Sequence, residues 1–191
     1  MIKISKIAQV CRKHGEAVLF DVAGTQWVQT GYAAYPLYGM PELDGESIKT
    51  VLSISEREAE KMVIMEGGAI SGVNYRDYES TDTMMNAAIF RFIEDDRIFS
   101  AYQVTDRAGE TRLLLLDESY FKPFNDCDPS VELMYRRIGE METVAVMEGL
   151  IIVGVIHPAK VDREKLREKM ESFAALLAGE PMKGEITENE L

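Results

Sequence analysis

The 191-residue sequence predicts an α+β fold, with repeated helix and three-strand motifs forming antiparallel sheets, helices on one face, and a further C-terminal helix. Three observations predict it. Short runs of alternating apolar residues recur along the chain and are joined by tight-turn signals, which implies antiparallel pairing. Helical spacing falls between sets of strands rather than within them. A strand, turn, strand, short-helix pattern is clear at 98–124 (IFSAYQVTDRAGETRLLLLDESYFKPF), and a fainter version lies at 17–54.

Taking the elements in order, Ile4, Ile7, Ala8 and Cys11 repeat at the spacing of a buried helical stripe, with Gly15 suited to a left-handed cap. The first residues, MIKI, fit the start of a strand as well. Residues 16–22 alternate, Ala23-Gly24 turns, and 25–30 returns as a hairpin. Residues 33–37 form a third strand, whose Pro36 suggests an edge or a strand end. A loop at 38–45 leads to Ile48, Val51 and Leu52 at helical spacing. The capping box at Ser55 and Glu58 predicts a second short helix to about Met62, followed by a strand at 62–66.

Residues 67–84 are rich in Gly, Ser, Thr and Asp and form a long loop between two halves. Strands at 87–93 and 97–104 flank the acidic turn Glu94-Asp95-Asp96, and 106–110 turns into 111–116. Leu113 to Leu116 is apolar on both faces, which predicts a central strand covered on both sides. Asp117 can cap a short helix through Phe121, stopped by Pro123. Residues 131–136 alternate, and 143–147 with 150–156 make a hairpin across Glu148-Gly149. Residues 162–178 form the longest helix, with Leu166, Met170, Phe173, Ala174 and Leu177 as its stripe. The expected organisation is a first αβ half at 1–66, a boundary loop at 67–84, a second half at 85–178 and a flexible acidic tail at 179–191.

Composition narrows the function classes. With 46% hydrophobic and 28% charged residues the chain can bury a core. Its longest apolar run, 150–156, is far short of the roughly 20 residues that span a bilayer, so no membrane association is expected. No secretory signal pattern opens the sequence and two cysteines make no disulfide framework, so a cytoplasmic protein is expected.

No catalytic pattern stands out. His14 and His157 lack partners at metal-ligand spacing, so no metal is expected. Cys127 lies between Asp126 and Asp128, which disfavour its thiolate, and Cys11 falls on an apolar helical stripe. Asn125, Asp126, Asp128 and Glu132 lack the calcium-loop pattern. Gly67, Gly68 and Gly72 have no following Lys of a phosphate loop, and no G-x-S-x-G elbow exists, so no cofactor or catalytic residue is assigned. The aromatic run Trp27, Tyr32, Tyr35, Tyr38 is either a stacking surface or ordinary strand packing, and packing is expected.

Charge is unevenly spread. Residues 1–14 carry Lys3, Lys6, Arg12 and Lys13 and no acid, so the remainder of a chain of net charge −12 holds −16. These four residues are the candidate phosphate-facing set, able to touch a nucleic-acid backbone without reading sequence.

The order of elements resembles the domain of DNA sliding clamps. Residues 16–30 resemble the first hairpin after the inner helix, and 42–54 (ELDGESIKTVLSI) the segment leading to the second helix. Residues 104–124 resemble the strand, turn, strand and helix of the second motif, and the likeness covers 1–157. It implies a doubled αβ unit with helices lining a ring and sheets outside. The chain departs from the pattern in having about one domain, a longer 67–84 loop and an added C-terminal helix. The expectation is a non-enzymatic, clamp-like protein acting by homo-oligomerisation and by binding DNA or DNA-processing proteins. The alternative is an acidic protein-interaction module, with Glu94, Asp95, Asp96, Asp126 and Asp128 as its working charges.

Overall fold

The computed structural model describes residues 2–124 and 131–160, together with 167, 168 and 171. The chain divides into two compact units, Met1–Ala159 and Lys160–Leu191. In the second unit, Arg167 Nε lies 3.5 Å from Glu171 one helical turn on. The expected helix at 162–178 otherwise falls outside the described residues, as does the tail at 179–191.

The first unit is built from helix α1 (Ile4–His14), strands β1 (Glu16–Val22), β2 (Thr25–Thr30) and β3 (Ala33–Pro36), then helices α2 (Ser47–Val51) and α3 (Glu56–Ala59). Strands β4 (Val63–Glu66), β5 (Thr83–Met84), β6 (Phe90–Glu94), β7 (Arg97–Thr105) and β8 (Thr111–Asp117) follow. A 3-10 helix, η1 (Glu118–Phe124), leads to β9 (Glu132–Ile138), β10 (Met141–Glu148) and β11 (Ile151–Ile156). Eight strands form one sheet in the order β4-β1-β2-β3-β11-β10-β9-β5, and β6-β7-β8 form a second.

Local chemistry explains the boundaries. Gly15 closes α1 at φ 67°, and its N–H donates to the Cys11 carbonyl. Ser55 and Glu58 make the reciprocal capping box that starts α3. That helix ends at Ala59 because Met62 onward is drawn into β4, where the Val63 N–H donates to the Gly15 carbonyl at 2.8 Å. Proline ends β3 at Pro36, but β3 lies mid-sheet between β2 and β11 rather than at an edge.

Two three-stranded meanders, β1–β3 and β9–β11, join antiparallel through Ala33 and Ala34 against Ile156 and Val155. Each meander follows a helix, α1 before the first and η1 before the second. The strand alternation sends Ala17, Leu19, Val28, Tyr35, Val144 and Val146 into the main core with Ile7, Cys11, Ile48, Tyr120 and Phe124 of the helices. The opposite face carries Phe20, Trp27, Ala34, Ala145, Met147 and Ile152, covered by Tyr75 and Val73. Helices therefore pack on one face of the large sheet and the stretch carrying Val73 and Tyr75 on the other, before β5 joins the sheet beside β9.

Two expectations about the strands change. The strand at 111–116 is an edge of the three-stranded sheet, not a central strand; β7 is central. Its leucines are apolar on both faces because Leu114 and Leu116 join the main core while Leu115 is buried on the reverse side. Pairing is also not wholly antiparallel, since β4 lies parallel to β1 after the α2–α3 crossover.

Candidate functional site

The helical face of the first unit is where the sequence places its candidate residues, and the structure gives them different tasks. Lys3 is the N-cap of α1 and makes no side-chain cap bond, Lys6 is half-buried and Lys13 is exposed. No acid occupies the first turn of α1, so Lys3 stands at the positive end of the helix dipole. Arg12 points another way. Its Nη2 donates to the carbonyls of Leu52 at 2.8 Å and Ser53 at 2.6 Å, and its Nε lies 3.1 Å from Glu58 Oε1. It thereby caps the carbonyl end of α2 and ties it to α1. Lys3 and Lys13 are exposed on α1 and Lys6 half-buried, and exposed Lys122 of η1 adds a cation that the sequence reading did not single out.

Where α1 meets η1, the His14 ring stacks on Tyr120 with centroids 4.6 Å apart and planes 19° apart. Ser119 Oγ lies 3.3 Å from His14 Nε2, and the Tyr120 hydroxyl accepts the Tyr32 N–H at 3.0 Å. Lys13 Nζ is 4.0 Å from Oδ1 of buried Asp117, which accepts the Ser119 N–H at 2.8 Å and so starts η1. Serine, histidine and aspartate thus meet here, but not as a catalytic relay. Near-parallel stacking puts the Tyr120 hydroxyl, 3.4 Å from Nδ1, above the imidazole rather than in its plane. Asp117 spends its bonding oxygen on the Ser119 backbone instead of on the ring. Burial lowers the His14 pKa, opposed by the nearby Asp117 charge, and pushes Tyr120 up to about 12. The cluster is a packed seam between the two helices.

The remaining candidates are placed as follows. Trp27 and Tyr35 are core residues, and the Tyr35 hydroxyl donates to the Tyr120 carbonyl at 2.9 Å. Tyr32 and Tyr38 are about half exposed. Asp95 and Asp96 lie exposed at the β6–β7 turn with φ 48° and 59°. Asn125, Asp126, Cys127 and Asp128 lie outside the described residues. Among the described residues no group of three or more His, Cys, Asp or Glu side chains could hold a metal ion, and no helix is long and apolar enough to cross a membrane.

A feature the sequence does not announce lies beside α2 and α3. A depression of about 690 Å³ runs between these helices and β4, with Ile54, Ala59, Met62 and Ile64 among its lining and Glu56 and Glu60 on its rim. Its only sequence trace is the acidic run Glu56, Glu58, Glu60 that follows the capping box.

No family model, curated protein or solved structure matches this chain.

Proposed function

We propose that the protein acts by association rather than catalysis, as a clamp-like domain that assembles with further copies and contacts DNA backbone phosphates through Lys3, Lys6 and Lys13. The observation that carries this reading is the doubled order of helix and meander. α1 with β1–β3 and η1 with β9–β11 join through β3 and β11 into one sheet, and α1 lies against η1 on one face. Arg12 leaves the phosphate-facing set in this reading, because it is bound to α2 and Glu58. DNA-processing proteins are a further class of partner for the same assembly.

The test is absolute mass by light scattering across concentration and salt, followed by duplex binding. A discrete oligomer stable on dilution, with DNA affinity that falls steeply with salt and is lost in the Lys3→Glu/Lys6→Glu/Lys13→Glu variant, supports the reading. A strict monomer, or DNA binding indifferent to the triple reversal, overturns it. A second reading, an acidic interaction module, is favoured by exposed Asp95 and Asp96 at a hairpin tip. It predicts capture of a basic protein that is lost on reversing these charges, and no DNA binding.

A further inference from the structure

Among the described residues β4 is an edge strand with one side unpaired. The Val63 N–H donates to the Gly15 carbonyl at 2.8 Å and the Gly67 N–H to the Leu19 carbonyl at 2.7 Å. Alternation along a strand therefore turns the N–H and C=O of Ile64 and the N–H of Glu66 away from β1. Among the described residues β4 pairs with β1 alone. Such an edge is a template for an incoming strand.

The surroundings of this edge select its occupant. Side chains of Val63 and Met65 stand on one face, 55% and 50% exposed. Met62 and Ile64 line the depression on the other face, together with Ile54 and Ala59. An added strand would lay alternate side chains over an apolar strip and into this recess. The rim is acidic: Glu56 and Glu60 are exposed, while the one cation of the lining, Lys49, is held by Glu46 at 2.6 Å. Over residues 44–66 six carboxylates face three cations.

We propose that the β4 edge takes up an extended, basic segment of a partner protein as an added strand, with apolar side chains in the depression and lysine or arginine against Glu56 and Glu60. The inference goes beyond the DNA reading and does not depend on Lys3, Lys6 or Lys13.

The test uses the full chain and a short labelled peptide of Val-Thr-Lys-Thr repeats, which puts valine and lysine on the same face of a strand, with a Val-Thr-Glu-Thr peptide as control. The basic peptide should bind, with affinity that falls as salt rises, and the acidic one should not. Bound peptide should slow amide exchange at Ile64 and Glu66 and leave Val63 and Gly67 unchanged. Glu66→Pro removes an outward N–H at an exposed position outside the depression, and it should weaken binding about tenfold or more. Glu56→Lys/Glu60→Lys, at two exposed positions that cannot unfold the core, should do the same. The Lys3→Glu/Lys6→Glu/Lys13→Glu variant should bind the peptide as the parent chain does, which keeps this outcome separate from the DNA test. Absence of binding overturns the proposal, as does binding that survives both the proline and the charge reversals. So does protection of Ile64 and Glu66 that rises with protein concentration as the mass doubles, since a second copy would then hold the edge.

Discussion

Arg136 and Asp82 form a buried two-pronged ion pair across 54 residues, Nε to Oδ1 and Nη2 to Oδ2 each at 2.8 Å. The remaining guanidinium protons reach the carbonyls of Asn74 at 3.2 Å, Arg76 at 2.6 Å and Asp77 at 2.9 Å, so all five donors are satisfied. This pins the 67–84 segment onto the outer face of the large sheet, where Tyr75 meets Trp27 edge-on at 5.1 Å. Removing one partner leaves a buried charge alone. Arg136→Ala or Asp82→Ala should therefore cost about 3–5 kcal/mol in denaturant unfolding, with protease cleavage appearing within 67–84. Arg136→Met/Asp82→Leu should recover part of that loss, because both charges are then gone. Trp27, the single tryptophan, reports the release of Tyr75 by fluorescence. An unchanged unfolding midpoint in the single variants would count against the pin.

His14 should make the fold acid-sensitive before the carboxylates titrate. Burial lowers its pKa below the ordinary 6.5, Asp117 opposes this, and Lys13 and Arg97 reinforce it. A base whose folded pKa is depressed binds fewer protons folded than unfolded. Stability is then fully present above pH 6.5 and is lost as pH falls from there through the folded pKa. His157, whose pKa is also lowered by burial, adds in the same direction. The thermal midpoint should fall as pH drops below neutrality, and His14→Gln/His157→Gln should flatten that slope. A slope unaltered by the double substitution would assign it to other groups.

How far the sequence was legible depends on whether a feature is local. α1, the Gly15 cap and the Ser55–Glu58 capping box were readable because each is settled within a few residues. The hairpins β1–β2 and β10–β11 were readable from alternation and turn residues. The role of β8 was not. Leu113–Leu116 reads as covered on both faces but does not say which neighbours pair; Leu113 is exposed, and among the described residues the strand has only β7 beside it. The segment 67–84 read as a boundary from its polar composition. Its ordering comes from Arg136, a residue more than 50 positions away that looks like the polar side of an alternating strand. Arg12 likewise looked like one of four basic residues until its contacts with Leu52 and Ser53 separated it from the lysines. The depression at β4 needs the parallel crossover from α3, which no local pattern specifies.

Gly154 should tolerate no side chain. β10 and β11 shift register at Val146 and Met147, so Val153 and Gly154 both turn toward the helices. A Cβ on Gly154 would sit 2.5 Å from Phe124 Cζ, where that ring packs against the sheet beside Tyr35. Gly154→Ala should destabilise by about 1–3 kcal/mol through overpacking. Phe124→Leu in the same chain should relieve part of the clash, giving a non-additive double-mutant cycle measured by chemical unfolding. Strict additivity of the two substitutions would mean that the ring and the glycine do not constrain each other.

Cys11 should be silent toward alkylation in the folded protein. It is fully buried on the inner stripe of α1, and burial pushes its thiol up to about 12. Only the thiolate attacks an alkylating reagent, and at pH 8 a thiol of that acidity is ionised on the order of one part in ten thousand. In a Cys127→Ser background, iodoacetamide should modify Cys11 at the rate of unfolding, accelerating with denaturant in step with the loss of Trp27 signal. Modification much faster than unfolding would require α1 to lift from the sheet while the rest of the fold persists. That would separate the stability of the helix carrying Lys3, Lys6 and Lys13 from that of the sheet, and the triple charge reversal would then have to be judged against a mobile rather than a fixed helix.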